Sequence, residues 1–178
     1  MKKILSNPKI VLLFFCVSAF LLILFDEILN ISFVQFFIEN VLHRDATLTG
    51  RLEVYPYIFK LFFSHKWFGY GFGNTIIMDI SIWYANAQNA FWDYVIDYGL
   101  TSMIFLVLLI LIVSLKHDHI RKLIHDIKLW ISFSMIYIYF FIGLSEIVYN
   151  KQFIFYLGLV YSMLIMAEKK RCEVNYEK

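Results

Sequence analysis

The chain has 178 residues, of which 61% are apolar, 20% aromatic and 17% charged, with a mean hydropathy of +0.68. Long apolar runs interrupted by only two prolines, Pro8 and Pro56, exclude disordered, collagen-like and disulfide-stapled classes and leave a multi-pass membrane protein with the lipid bilayer as its solvent. Lys and Arg exceed Asp and Glu by 16 to 14, and a net charge of +2 gives no reason to expect a nucleic-acid partner.

The first apolar run covers residues 10–25, follows Lys2, Lys3 and Lys9, and stops at Asp26 and Glu27. A basic start before an apolar stretch also suits a signal peptide, but no small-x-small cleavage site follows Phe25, so an uncleaved anchor is expected. Three more runs, 100–115, 129–148 and 153–167, approach the ~20 residues a helix needs to cross ~30 Å of hydrocarbon, and the short ones imply thinning or tilt. Residues 1–9, the linker 116–128 and the tail 168–178 carry three, four and four Lys/Arg, which puts both termini in the cytoplasm and residues 26–99 outside it. The expected fold is therefore all-α and integral to the membrane. It has about four transmembrane helices and a large helical extracytoplasmic segment between the first and second. His117, His119 and His125 share the basic linker and read as a solvated, headgroup-facing stretch in preference to a metal site. Cys16 in the first run and Cys172 in the tail occupy environments too unlike for a bridge.

Within 26–99, the mixture of apolar and polar residues from Ile28 to Leu42 suits an interfacial helix. A second helix begins near Tyr55 with Pro56 at its first position, turning Tyr57, Ile58, Leu61, Phe62 and Phe63 toward lipid or protein. Gly69-Tyr70-Gly71-Phe72-Gly73-Asn74 forms a turn, and a third helix starts around Ala87 and runs into the second span. Five of the seven glycines, at 50, 69, 71, 73 and 99, fall in this segment or at its junction with the membrane, where reversals and close contacts need them.

Arg51 follows Gly50 shortly before a helix start, where a forked guanidinium and a helix dipole favour a phosphate, whether on a substrate or a lipid headgroup. If 87–99 is helical, Gln88 and Gly99, eleven apart, share a face with Trp92, and the glycine lets another helix approach. Asp93 and Asp97 place like charges one turn apart, as on a wet helix flank. Gly-x-Gly-x-Gly at 69–73 lacks the strand and crossover helix of a nucleotide loop, and the aromatics around it suit a membrane anchor as well as sugar stacking. Glu146, the one acidic residue inside a late span, is a functional candidate by its position near the outer end.

Leu48-Thr49-Gly50-Arg51, Tyr55, Phe68-Gly69-Tyr70-Gly71-Phe72-Gly73, Ala87-Gln88-Asn89 and Gly99-Leu100, in that order between apolar spans, resemble the O-antigen ligase and polysaccharide polymerase family over about residues 45–165. The resemblance implies a cofactor-free, metal-independent, inverting glycosyltransferase of the bacterial cytoplasmic (inner) membrane. Its partner is a polyprenyl-diphosphate-linked glycan. Arg51, Gln88 and Glu146 would then be catalytic, with Arg51 offsetting charge on the departing diphosphate. Arg44, Tyr55, Lys66, Gly69, Gly71, Asn86 and Asn89 would bind substrate. Gln88 stands where the ligases carry a histidine, and an amide orients a hydroxyl without taking its proton, so proton removal comes from elsewhere or is late, with Glu146, His65 and Glu53 as candidate substitutes. That absence favours a polymerase joining repeat units of capsule, exopolysaccharide or O-antigen over a ligase transferring glycan to a lipid A core. Relatives have ten or more spans, so the chain corresponds to a C-terminal half. It is expected to assemble with an N-terminal half or other polysaccharide-assembly membrane proteins, or to be a noncatalytic fragment.

Overall fold

The structure is a computed structural model that describes residues 5–29, 36, 40, 55–77, 87, 89–124, 126–144 and 147–176, with all their side chains except those of 22–29, 55, 56 and 174–176. The fold is all-helical: α1 (Pro8–Leu29), α2 (Tyr55–Ser64), α3 (Ala90–Leu123), α4 (Ile127–Ile142) and α5 (Lys151–Tyr176), with no strand among the described residues. The chain divides into two compact units. A helical unit comprises Met1–Cys16, Ile104–Ile142 and Val148–Lys178, and a glycine-loop unit comprises Val17–Met103 and Gly143–Ile147.

Four helices start on an Asn or Asp side chain that accepts otherwise orphaned backbone N–H groups. Asn7 Oδ1 takes the Lys9 N–H at 3.0 Å and Asp126 Oδ1 that of Lys128 at 2.8 Å. Asn89 Oδ1 takes Phe91 and Trp92 at 3.0 and 3.2 Å, and Asn150 Oδ1 takes Gln152 and Phe153 at 2.9 and 3.3 Å. These caps move boundaries away from those the apolar runs suggest. α3 begins at Ala90 instead of Ala87, and α1 begins at Pro8, whose missing N–H costs nothing in a first turn.

In the helical unit, α3 buries Leu106, Ile110, Val113 and Ile120, α4 buries Leu129, Phe133, Ile136 and Phe140, and α5 buries Phe153, Leu157, Val160 and Leu164. Each set repeats at three- and four-residue intervals, so each helix turns one apolar stripe inward. A second apolar stripe remains exposed on the same helices: Ile104, Leu108, Ile112 and Leu115 on α3, then Ile131, Met135, Ile138 and Ile142 on α4. Among the described residues, α3 is long and apolar enough by length and composition to cross a membrane, while residues 8–21 and α4 are shorter apolar helices.

Three expectations are corrected here. The third run ends as a helix at Ile142 instead of continuing to 148. The linker 116–128 is largely helical, because α3 continues to Leu123, and α5 carries the tail to Tyr176. Charge pairs support both extensions: Lys116 with Glu168, and Asp118 with Arg121 and Lys122, the last two at 2.7 Å. His117 is 3% exposed, not solvated, and its ring lies 3.8 Å from that of Phe133 at an angle of 3°. The apolar wall that α4 offers to α3 is what draws it in.

In the glycine-loop unit, Ile58, Leu61, Ile77, Ala87, Trp92 and Ile96 form the core. Trp92 is its centre: the indole N–H donates to Ala19 O at 2.9 Å, and Phe20, Phe59, Phe62 and Phe91 meet the ring edge-on. α2 begins at Tyr55 as expected and turns Ile58 and Leu61 inward, leaving Tyr57 and Phe63 exposed. The stretch expected as an interfacial helix, 28–42, lies mostly outside the described residues; Phe36 and Asn40 within it have helical backbone.

Candidate functional site

The long helix α3 is broken at Gly99, whose φ of 75° and ψ of −179° belong to a region open to glycine alone. The break frees the Ile96 and Asp97 carbonyls, which in an unbroken helix would accept from Leu100 and Thr101. The turn after α2 takes over all four groups. Tyr70 N–H donates to Ile96 O and Gly71 N–H to Asp97 O, both at 2.8 Å, while Leu100 N–H donates to Lys66 O at 2.8 Å and Thr101 N–H to Trp67 O at 3.2 Å. Thr101 also donates its hydroxyl to Trp67 O at 2.8 Å. A buried backbone group left without a partner costs about 1–3 kcal/mol, so this exchange makes the break tolerable.

The exchange requires backbone-to-backbone contact, and two glycines provide it reciprocally. A Cβ on Gly99 would lie 2.3 Å from Trp67 O, and one on Gly69 would lie 2.4 Å from Asp97 O. Gly69, Gly71 and Gly73 all have positive φ, and Asn74 closes the turn by donating to Gly71 O at 2.8 Å and to Asp97 Oδ1 at 2.6 Å. The expectation that Gly99 admits a neighbour holds, but the neighbour is this turn, not another helix. The register argument for Gln88, Trp92 and Gly99 fails: the helix starts after Asn89 and Gly99 is not helical.

The expected site residues divide into three groups. Arg44, Arg51, Asn86, Gln88 and Glu146 lie outside the described residues, as does Glu53, and Tyr55 is described only as the first residue of α2. Lys66, Gly69 and Gly71 come together in the turn sealed onto Gly99, where their backbone atoms act; the Lys66 ammonium lies 5.7 Å from the Trp67 ring centroid. Asn89 is fully buried and caps α3, and its Nδ2 donates to Ser18 O at 3.0 Å and Leu144 O at 3.4 Å. With two bonds accepted and two donated, its amide is fully occupied within the chain. His65 packs its ring 4.2 Å from that of Tyr70.

Asp93 is the residue that sequence reading undervalued. Instead of a wet flank it is 9% exposed, and its Oδ1 accepts the Ala87 N–H at 3.1 Å. Burial pushes its carboxyl up to about 6, against the Ala87 hydrogen bond and with help from Asp97. Burial likewise raises Asp97, partly offset by Asn74. The available signal was Asp93's place one turn after a capping Asn, but helix periodicity does not say which polar face a folded-back loop covers. A carboxyl that titrates near neutrality beside a loop is suited to proton transfer.

The start of α3 also gathers a distant segment. Ala90 N–H donates to Gly143 O at 2.9 Å, beside the Asn89 bond to Leu144 O, so 89–90 and 143–144 are held together. Among the described residues no group of three His, Cys, Asp or Glu side chains is placed to hold a metal ion. No family model matches this chain, and neither does any curated protein or solved structure.

Proposed function

We propose that the chain is the glycosyl-transferring half of a polysaccharide polymerase, a multi-pass protein of the bacterial inner membrane with both termini in the cytoplasm. It elongates glycan on a polyprenyl diphosphate carrier. The membrane setting is supported by helices that are apolar on two faces: the inner stripe packs against protein, and the outer one, on α3 and α4, needs lipid to cover it. The observation that carries the reading is the junction of 89–90 with 143–144. It joins two segments that lead directly into Gln88 and toward Glu146, two of the residues the family resemblance singles out.

In this reaction the acceptor hydroxyl oxygen attacks the anomeric carbon with inversion as the bond from that carbon to the diphosphate oxygen breaks. Arg51 grips the diphosphate and offsets the charge that grows on it. Gln88 orients the hydroxyl. The proton passes to Asp93, which supplies the base that an amide cannot be and which is bonded to Ala87 beside it.

Membranes carrying the full chain and its assembly partners, supplied with lipid-linked repeat units, test this. Arg51→Ala should abolish elongation, with Arg51→Lys restoring part of it because a point charge lacks the fork. Asp93→Asn should slow elongation on the order of a hundredfold. The wild-type rate should fall as pH drops below about 6, where Asp93 takes up its proton. Polymer length unchanged in both Arg51→Ala and Asp93→Asn sinks the reading.

A further inference from the structure

The turn sealed onto Gly99 carries side chains that the seal does not use. Trp67, Phe68 and Phe72 are 54%, 79% and 86% exposed, and Phe63 at the end of α2 is exposed as well. Scattered exposed aromatics are ordinary on a protein surface, but a run of them on a fixed turn needs a covering. The turn is bonded to α3 at Lys66, Trp67, Tyr70 and Gly71, so its rings are held outward instead of folding back onto the core. Those bonds also set its level. Lys66 O and Trp67 O accept from Leu100 and Thr101, the first residues of the apolar run 100–115, so the rings stand where a spanning helix enters hydrocarbon. Charge adds a second signal. Residues 55–77 contain Lys60, His65 and Lys66 and neither Asp nor Glu, and both lysines are exposed. Of the acidic side chains described in this unit, Asp93 is buried on the Ala87 N–H and Asp97 accepts from Asn74 Nδ2. The exposed face of the turn is therefore aromatic and positive.

We propose that residues 63–72 form a rigid interfacial anchor, seating Trp67, Phe68 and Phe72 among the headgroups and upper acyl chains of a bilayer, with Lys60 and Lys66 on anionic lipid phosphates. Tryptophan rings and lysine stems both favour that boundary, where an apolar body is covered and a polar tip stays wet. A partner protein could cover the rings, but anionic lipid also complements the lysines and lies at the level of Leu100 in any case. Because backbone bonds order the turn before it meets lipid, docking costs little conformational entropy. The anchor holds the break at Gly99, and with it Asp93 and Asp97, at the membrane surface. This proposal rests on the membrane setting inferred above and not on glycosyl transfer, so loss of elongation in Asp93→Asn leaves it untouched.

Depth-dependent quenching in nanodiscs tests the anchor. The full chain, with Cys16 and Cys172 replaced by serine, carries one environment-sensitive fluorophore at Phe68→Cys or at Ile112→Cys, the latter on the exposed apolar stripe of α3. Discs are made of phosphatidylcholine alone or of an equal mixture with phosphatidylglycerol. Three quenchers are compared: a nitroxide on the lipid headgroup, a nitroxide at mid-acyl chain, and iodide in the buffer. At 68 the headgroup nitroxide should quench most, whereas at 112 the mid-chain nitroxide should lead. Headgroup quenching at 68 should rise when phosphatidylglycerol is added, and Lys60→Gln combined with Lys66→Gln should lose that rise. Iodide leading at 68 while 112 still reports acyl chain overturns the anchor alone and leaves the rings to a partner protein. Iodide leading at both positions removes the membrane setting too. A rise that survives in the double variant overturns the pairing of the lysines with anionic lipid.

Discussion

The two units satisfy the same backbone in opposite ways. In the helical unit the helices start on capping side chains and continue unbroken, specificity comes from interlocking side chains such as His117 on Phe133, and glycine is dispensable: a Cβ on Gly158 would meet nothing within 4 Å. In the glycine-loop unit a helix is interrupted and its unpaired groups are exchanged with a turn from another part of the chain, through contacts no side chain would permit. The first arrangement tolerates substitution at any position that keeps its stripe apolar. The second concentrates its stability in a few backbone atoms of the 66–71 turn and the break at Gly99.

The largest expected effect tests that contrast directly. Gly99→Ala places a methyl 2.3 Å from Trp67 O at a φ that L-residues avoid, and should destabilise the chain by at least about 3 kcal/mol. Gly158→Ala, on an exposed helical position, should stabilise by up to ~1 kcal/mol. Thermal unfolding in detergent, followed by helicity, reads both. Equal behaviour of the two variants would abolish the distinction between the units.

Acid should then drive the units in opposite directions. Asp93 has a folded value near 6 against an ordinary 3.8, so its unfavourable burial is relieved as pH falls through that interval, and raised Asp97 acts with the same sign. His117 has a folded value near 4 against 6.5, so the unfolded chain binds the proton first and stability is lost as pH falls from 6.5 to 4. Asp118, lowered by Lys122 and Arg121, loses its contribution further down in the carboxylate range. Each of the two large shifts is worth about 3 kcal/mol. Peptide-resolved hydrogen exchange, corrected for intrinsic rates, should show gain around Asp93 and loss around His117 between pH 7 and 4.5. Asp93→Asn and His117→Phe should each remove one half of the pattern.

The smallest effect separates two caps of the same chemistry. Asn150→Ala removes a helix cap and should cost about 1 kcal/mol. Asn89→Ala removes a cap and also the two donations of its buried amide to Ser18 O and Leu144 O, so its cost should be about 2 kcal/mol. A lower midpoint for Asn150→Ala than for Asn89→Ala would show that the junction at the start of α3 contributes no stability of its own.

Much of this architecture was legible before folding was considered. Apolar runs mark four of the five helices α1 to α5 described above, because covering so much hydrocarbon surface leaves few alternatives to a helix. Pro56 marks the start of α2, and the spacing of Gly69, Gly71 and Gly73 marks a turn with positive φ. Helix ends were less legible: an apolar window cannot register that Asn89 caps α3 or that α3 continues through Lys116 and Arg121 once Glu168 and Asp118 neutralise them. Hydropathy reports how much surface must leave water and with what period, and that is a local property of the chain. Which carbonyl replaces a lost helical partner, whether Asp93 faces water or Ala87, and whether His117 meets solvent or Phe133 depend on segments tens of residues away. Those choices exist only after packing has brought the segments into contact.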